Sequence, residues 1–255
     1  MQDANPVSTP LANHFKLFGS QCPKNEKEIE DVSKVPYASA VGCFMYAMVC
    51  TRPYLAHAVS TISKYMANPG RENWNAMKWI FRYLNGTAGY GILFARQHGD
   101  NLVVGYVNSD YAGNTDDKRS TTGYVFILSG GPVCWRSTLQ SLVAMSTTKA
   151  EYMTVAEAAE ALWLKGLIKE LGLNQGGVQL QCDSQSAIYL AKHQVYHART
   201  KHIDVRFHKI RELIVTREIV LEKIDTSENA VDMLTKMVPT NKFKHCLDLI
   251  SVCGL

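Results

Sequence analysis

The sequence predicts an α/β fold: a mixed five-stranded sheet flanked by helices and preceded by a small helical segment. Three observations lead there. Runs rich in β-branched and aromatic residues follow one another from residue 90 to 137 with turn residues between them, the texture of an antiparallel meander. Two more short apolar runs, at 178–182 and 219–224, each follow helix-period segments, as strands do when they enter a sheet through helical crossovers. Residues 36–86 carry helical periodicity alone.

Taken in order, residues 1–34 are polar, are interrupted by Pro6, Pro10 and Pro23, and contain the run KNEKEIEDVSK. A poorly structured, solvated segment with little packing is expected over residues 1–35. Three helices are predicted at 37–50, 54–67 and 71–85, the last two separated by Asn68-Pro69-Gly70, a turn signal. Trp74, Met77, Phe81 and Leu84 recur at helical spacing in the third, with Lys78, Trp79, Arg82 and Tyr83 on another face. Packing against a core is the ordinary reading of such aromatics, and a nucleic-acid-binding face is the competing one.

After Asn85-Gly86, strands are predicted at 90–95, 102–109, 122–128 and 132–137, with Ser129-Gly130-Gly131 as a hairpin turn. A long amphipathic helix is expected over 148–171, closed by Gly172. A strand at 178–182, helices at 184–192 and 201–216, a strand at 219–224 and a last helix from about residue 228 complete the order.

Composition sets limits on function. The chain has 255 residues, 46% hydrophobic and 20% charged, enough to bury a core. The longest charge-free stretch, Val35 to Thr51, includes Pro36, Tyr37, Ser39 and Tyr46 and falls short of the roughly 20 apolar residues of a membrane span, so no membrane partner is expected. The first residues have neither the apolar centre of a secretory signal nor the Arg-rich character of a transit peptide, and an intracellular protein is expected. The seven cysteines show no CxxC spacing, which argues against a disulfide framework or a zinc site. The net charge of +4 is mild, but between Lys192 and Arg211 lie six Lys/Arg, four His and one acid, Asp204.

Four acids carry the functional signal. Asp110, Glu151, Asp183 and Asp232 occur in NSDYAG, STTKAEY, LQCDSQSAI and ENAVDMLTK, each where a strand ends or a helix begins. Converging carboxylates are what phosphodiester hydrolysis needs to hold two divalent cations about 3.5–4 Å apart. Each acid alone has a plainer reading: Glu151 closing a capping box with Thr148, Asp183 a helix cap, Asp110 a turn residue, Asp232 a first-turn acid. Together, at the carboxyl ends of strands in an open sheet, where sites gather, they point to a metal-dependent nuclease.

The strings SDYAG, RSTTGYVF, CWRS, STTKAEY, CDSQSAI, RTKHIDVRFHKIRE and DMLTK resemble the ribonuclease H domain of copia-type LTR retrotransposon Pol polyproteins, over about residues 90–250. Upstream, VPYASAVGCFMYAMVCTRP and the helices to Leu84 are similar to the end of the reverse transcriptase preceding that domain, a thumb- or connection-like unit over 36–88, with a remnant of reverse transcriptase over 1–35. The resemblance implies a ribonuclease H-like fold that cuts the RNA strand of an RNA–DNA hybrid. Asp110, Glu151, Asp183 and Asp232 fall in the family's metal-binding, catalytic positions for two Mg²⁺ ions, with Mn²⁺ as the alternative, and no small-molecule cofactor is implied. Cytoplasmic virus-like particles or the nucleus are the implied compartments. Hybrid contacts are expected from Ser184 and Gln185 to 2′-hydroxyls and from Lys192, Arg199, Lys201, His202, Arg206 and Lys209 to phosphates. A YVDD-like polymerase string is not in the sequence, so DNA synthesis by these residues alone is not expected.

Several positions depart from the family pattern. Tyr54 stands where an Asp follows Thr-Arg-Pro, Lys149 where an acid precedes Glu151 by two, and Met237 where a Pro follows Thr-Lys. The long helix is one residue short around 157–162, which rotates its end by about 100° and disturbs packing of Leu162, Trp163 and Leu167 unless an irregularity absorbs it. A non-catalytic nucleic-acid-binding relic is therefore the alternative, separated by whether hybrid binding survives without cleavage. A 3′–5′ exonuclease or resolvase-like enzyme is a further one, separated by activity on DNA.

Overall fold

The computed structural model describes residues 4–94, 103–192 and 204–254. Four helices come first: α1 (Glu26–Ser33), α2 (Tyr37–Cys50), α3 (Ala56–Ser63) and α4 (Arg71–Gly86). Strands β1 (Tyr90–Ile92), β2 (Val104–Asp110), β3 (Thr121–Leu128) and β4 (Gly131–Leu139) follow, then α5 (Thr147–Glu157), α6 (Ala161–Glu170) and β5 (Val178–Cys182). The chain continues with α7 (Gln185–Lys192), α8 (Asp204–Val215), β6 (Ile219–Lys223), α9 (Asp232–Thr235), α10 (Thr240–Leu249) and β7 (Val252–Gly254).

The main sheet has five strands in the order β4-β3-β2-β5-β6. Strands β2, β3 and β4 form the antiparallel meander; β5 lies parallel to β2 and β6 parallel to β5. The expected mixed five-stranded sheet flanked by helices is thus present. Ser129 and Gly130 both take positive φ, 53° and 81°, as a two-residue type I′ hairpin requires. Strand β1 stands outside this sheet and pairs antiparallel with β7, a strand of three residues too short to leave a period in the sequence.

One apolar core on one side of the sheet joins Val155, Ala158, Ala161, Leu164 and Ile168 of the long helical segment to Val107, Phe126, Leu180 and Ile219. A second joins α2, α3 and α4 to α9, α10 and Val125 of β3. Leu11, Phe15 and Leu17 are buried in that second core, so the expectation of little packing before residue 35 fails for this stretch. Its three apolar anchors are spaced four and then two residues apart, which keeps to neither a helical nor a strand period. The KNEKEIEDVSK run does form a helix without buried residues, α1.

In α4 the buried face is Asn73, Ala76, Met77, Ile80 and Tyr83, with Trp74, Phe81 and Leu84 partly buried beside it. The opposite face is covered by the N-terminal segment: Trp79 Nε1 donates to the Thr9 carbonyl at 2.9 Å and Arg82 Nε to the Asn5 carbonyl at 2.7 Å. Arg82 also lies over the Trp79 ring. These groups hold the chain to itself, which favours packing over a nucleic-acid face.

The predicted single helix over 148–171 is broken by a 3₁₀ turn, Ala158–Glu160. Three residues at 120° each rotate about 60° further than three at 100°, which recovers more than half of the rotation lost with one missing residue. Beyond the turn Ala161, Leu164 and Ile168 are buried, Leu162 packs partly against the core, and Trp163 faces solvent. Gly172, with φ +81°, closes α6 as expected while Leu173 N–H reaches back to the Ile168 carbonyl.

Candidate metal centre

The two central acids owe their position to the sheet. Val107 of β2 stands beside Cys182 of β5 in parallel register, so Asp110, the last residue of β2, and Asp183, the residue after β5, emerge at the same edge. Any Cβ on Gly113 would overlap Asp110 Oδ2, so the turn after β2 passes against the carboxylate only because residue 113 has no side chain.

Helix α5 brings Glu151 across. Its cap is Ser146, whose Oγ accepts from Lys149 N–H at 3.2 Å, not Thr148. This corrects the capping-box reading and leaves the Glu151 carboxylate free of the helix end. Glu151 Oε1 accepts from Ser109 N–H at 3.2 Å, while Oε2 is buried without a hydrogen-bond partner. Asp183 is likewise not the cap of α7, since Ser184 Oγ accepts from Ala187 N–H at 3.3 Å. Helix α9 carries the fourth acid: Asp232 is 3% exposed, and Asn108 Nδ2 donates to its Oδ1 at 2.6 Å. Lys236 Nζ lies 2.6 Å from the same oxygen and Lys242 Nζ 3.5 Å from Oδ2.

The electrostatics reflect this crowding. Burial, and then the Asp183 carboxylate, push the Glu151 carboxyl up to about 8. Burial raises Asp110 too, with the Asp232 charge adding to it and the Lys236 ammonium opposing. An orphaned buried carboxylate oxygen among like charges is an environment that a cation relieves.

The ligand atoms of Glu151, Cys182 and Asp183 lie within 4.8 Å of one another and could hold a metal ion. The thiol fits poorly: burial drives the Cys182 thiol up to about 12, whereas a metal takes the thiolate, and Cys182 Sγ already accepts from Ser184 N–H. The carboxylates fit a hard, oxygen-seeking cation such as Mg²⁺.

The chain aligns with the retrovirus-related Pol polyprotein from transposon TNT 1-94 of Nicotiana tabacum over 253 residues, 99% of this chain, at 52% identity. It is strongly homologous to retrovirus-related Pol polyproteins of copia-type transposons. The Pol polyprotein from transposon RE2 of Arabidopsis thaliana matches 96% of the chain at 35% identity. The chain spans less than a fifth of the length of these relatives, 19% and 16%. No family model matches it. Among solved structures, LC11-RNase H1 aligns with 53% of this chain and 93% of its own at 22% identity, with a TM-score of 0.40.

The remaining expected site residues divide. Gln185 and Lys192 are exposed on α7, and Ser184, just before it, is half-buried. Lys209 is exposed on α8 and pairs with Glu212 at 3.1 Å. Arg199, Lys201 and His202 lie outside the described residues, as does the side chain of Arg206. The structure also adds groups to the candidate site. Asn108 and Lys236 were not singled out in the sequence; strand alternation, which puts Asn108 on the face of Asp110, and the i, i+4 spacing of Lys236 to Asp232 are the signals that point to them. No described helix is long and apolar enough to cross a membrane.

Proposed function

We propose that this retrotransposon ribonuclease H-type domain hydrolyses the RNA strand of RNA–DNA hybrids, with Asp110, Glu151, Asp183 and Asp232 holding two Mg²⁺ ions, or Mn²⁺ in their place. The observation that carries the reading is the unpartnered, buried Glu151 Oε2 facing Asp183 at the edge where β2 and β5 end. When bound, the ions supply an activated water and charge stabilisation for the leaving 3′ oxygen.

The chain's own groups do the positioning. Asn108 fixes two acids at once: its Oδ1 accepts from Ser109 N–H at 2.8 Å and its Nδ2 donates to Asp232 and, at 3.1 Å, to Thr235 Oγ1. Ser109 N–H in turn orients Glu151. Lys223 Nζ donates to the Asp183 carbonyl at 2.5 Å and tethers the start of α7 to the end of β6. Phosphate contacts are assigned to Lys192, Arg199, Lys201, His202, Arg206 and Lys209, and 2′-hydroxyl contacts to Ser184 and Gln185; their salt dependence follows from counterion release.

The test is cleavage of a labelled RNA–DNA hybrid with Mg²⁺ or Mn²⁺, beside duplex DNA and Asp110→Asn. Cleavage of RNA alone, reduced about 10²–10³-fold in the variant by analogy with loss of other transition-state charge stabilisers, supports the reading. Hybrid binding without cleavage by a folded chain would convert it to the non-catalytic relic.

A further inference from the structure

Lys236 follows α9 directly and turns back onto it. Its ammonium is 2.6 Å from Asp232 Oδ1, with the lysine side chain 40% exposed and that of Asp232 5%. The carboxylate is fixed and buried, and the ammonium reaches it from the solvent side on a flexible stem. Lys242 differs. It stands 3.5 Å from Asp232 Oδ2 and is anchored by the carbonyls of Thr226, at 3.0 Å, and Ser227. The charge of Lys236 also acts on the rest of the site. It opposes the upward shift of both Asp110 and Glu151. Burial works against its own charge, yet Asp232, Asp110 and Asp183 hold it above the ordinary lysine range.

A resident cation thus faces the same carboxylates a divalent ion would use, and both oxygens of Asp232 already face nitrogen donors. We propose that Lys236 is a built-in counter-cation occupying the place of the second divalent ion, so that the free protein takes up one ion and admits the other only when the ammonium leaves Asp232. A substrate phosphate is the chemical group that draws it off, because it offers the ammonium new anionic oxygens while bringing its own to the metal. The inference rests on the two-metal reading and assigns Lys236 the ordering of uptake.

The experiment is a calorimetric Mn²⁺ titration of the full chain without nucleic acid, for the wild type, Lys236→Gln, Lys236→Arg and Asp110→Asn. One equivalent is expected in the wild type and in Lys236→Arg. Lys236→Gln should take two, its second ion binding on the order of tenfold tighter than in the wild type, because one positive charge has left the cluster. Mn²⁺ should also raise the melting temperature of Lys236→Gln more than that of the wild type. Two equivalents in the wild type with no gain in Lys236→Gln, and uptake weakened in Asp110→Asn, would overturn the role of Lys236 and leave the metal reading standing. Lys236→Arg behaving like Lys236→Gln would overturn it as well, since charge would not be the cause. No uptake by any variant, each shown folded by circular dichroism, would overturn both.

Discussion

Gly113 leaves the Asp110 carboxylate its room, and that makes it the sharpest single-residue test. A methyl group there overlaps Asp110 Oδ2, the far end of a side chain that can rotate, so Gly113→Ala should displace the ligand and spare the fold. Metal uptake and cleavage should fall at least about tenfold while the melting temperature moves by no more than a few degrees, as for about 1 kcal/mol or less. Equal loss of stability and uptake would place Gly113 in the framework instead. Glu151 gives the pH dependence. Burial, and then the Asp183 carboxylate, push its carboxyl up to about 8 in the folded chain against an ordinary value near 4.3. Because the folded value is raised, the stability it contributes is complete below about pH 4 and is lost as pH rises through about 8, up to about 5 kcal/mol in metal-free protein. A chelated sample should therefore melt lower at pH 8 than at pH 5, and Glu151→Gln should flatten that slope; an unchanged slope would mean that other groups dominate. The four acids were legible because each ends a strand or opens a helix. Lys236 and Asn108 were not singled out, because a lysine or asparagine beside an acid has no chemistry of its own until the fold shows which carboxylate it meets.

At the scale of elements, α9 is the part whose position decides the fourth acid. It has four residues, too few to stand without tertiary contacts, and it lies against β3 at Gly123, where a Cβ would come within 2.5 Å of Thr235 Cγ2 and 2.7 Å of Val231 Cγ1. These are β-branched side chains with little rotational escape. Gly123→Val should lift α9, cost about 1–3 kcal/mol by overpacking, and weaken metal uptake although residue 123 touches no carboxylate; denaturant unfolding and Mn²⁺ titration measure the two effects. Destabilisation with unaltered uptake would mean that α9 moves as one body with its acid still in place. Long periodic helices and the meander could be read from sequence because their signals repeat. The last helix was expected as one run from about residue 228, whereas the chain makes a 3₁₀ turn at Thr226–Glu228, the short α9 and, after Pro239, α10. No period fits inside four residues.

At the scale of the whole molecule, the change of texture after Gly86 suggests a boundary that packing does not respect. Tyr54, Tyr83 and Phe243 meet edge to face with centroids 5.8–6.4 Å apart, joining α4 and the turn before α3 to α10. Tyr54, a departure from the family pattern, is 1% exposed, and its hydroxyl accepts from Arg52 Nη1 at 2.6 Å; Arg52 also donates to the Thr87 carbonyl. Trp135 Nε1 of β4 donates to the Met48 carbonyl of α2, and β1 pairs with β7 more than 150 residues later. A hydrophobic pattern marks which faces are buried but not which distant element covers them. The helical segment covers α9 and α10, so it supports Asp232 at one remove. A chain of residues 89–254 should accordingly expose the apolar faces of α9 and α10, unfold over a broad range or aggregate, and bind Mn²⁺ more weakly than the full chain. Tyr54→Ala in the full chain should show the milder form of the same defect, about 3–5 kcal/mol for loss of a buried aromatic. If the fragment melts sharply at the full chain's temperature and takes up Mn²⁺ equally, the two segments are separate folding units and the shared core adds no stability to the site.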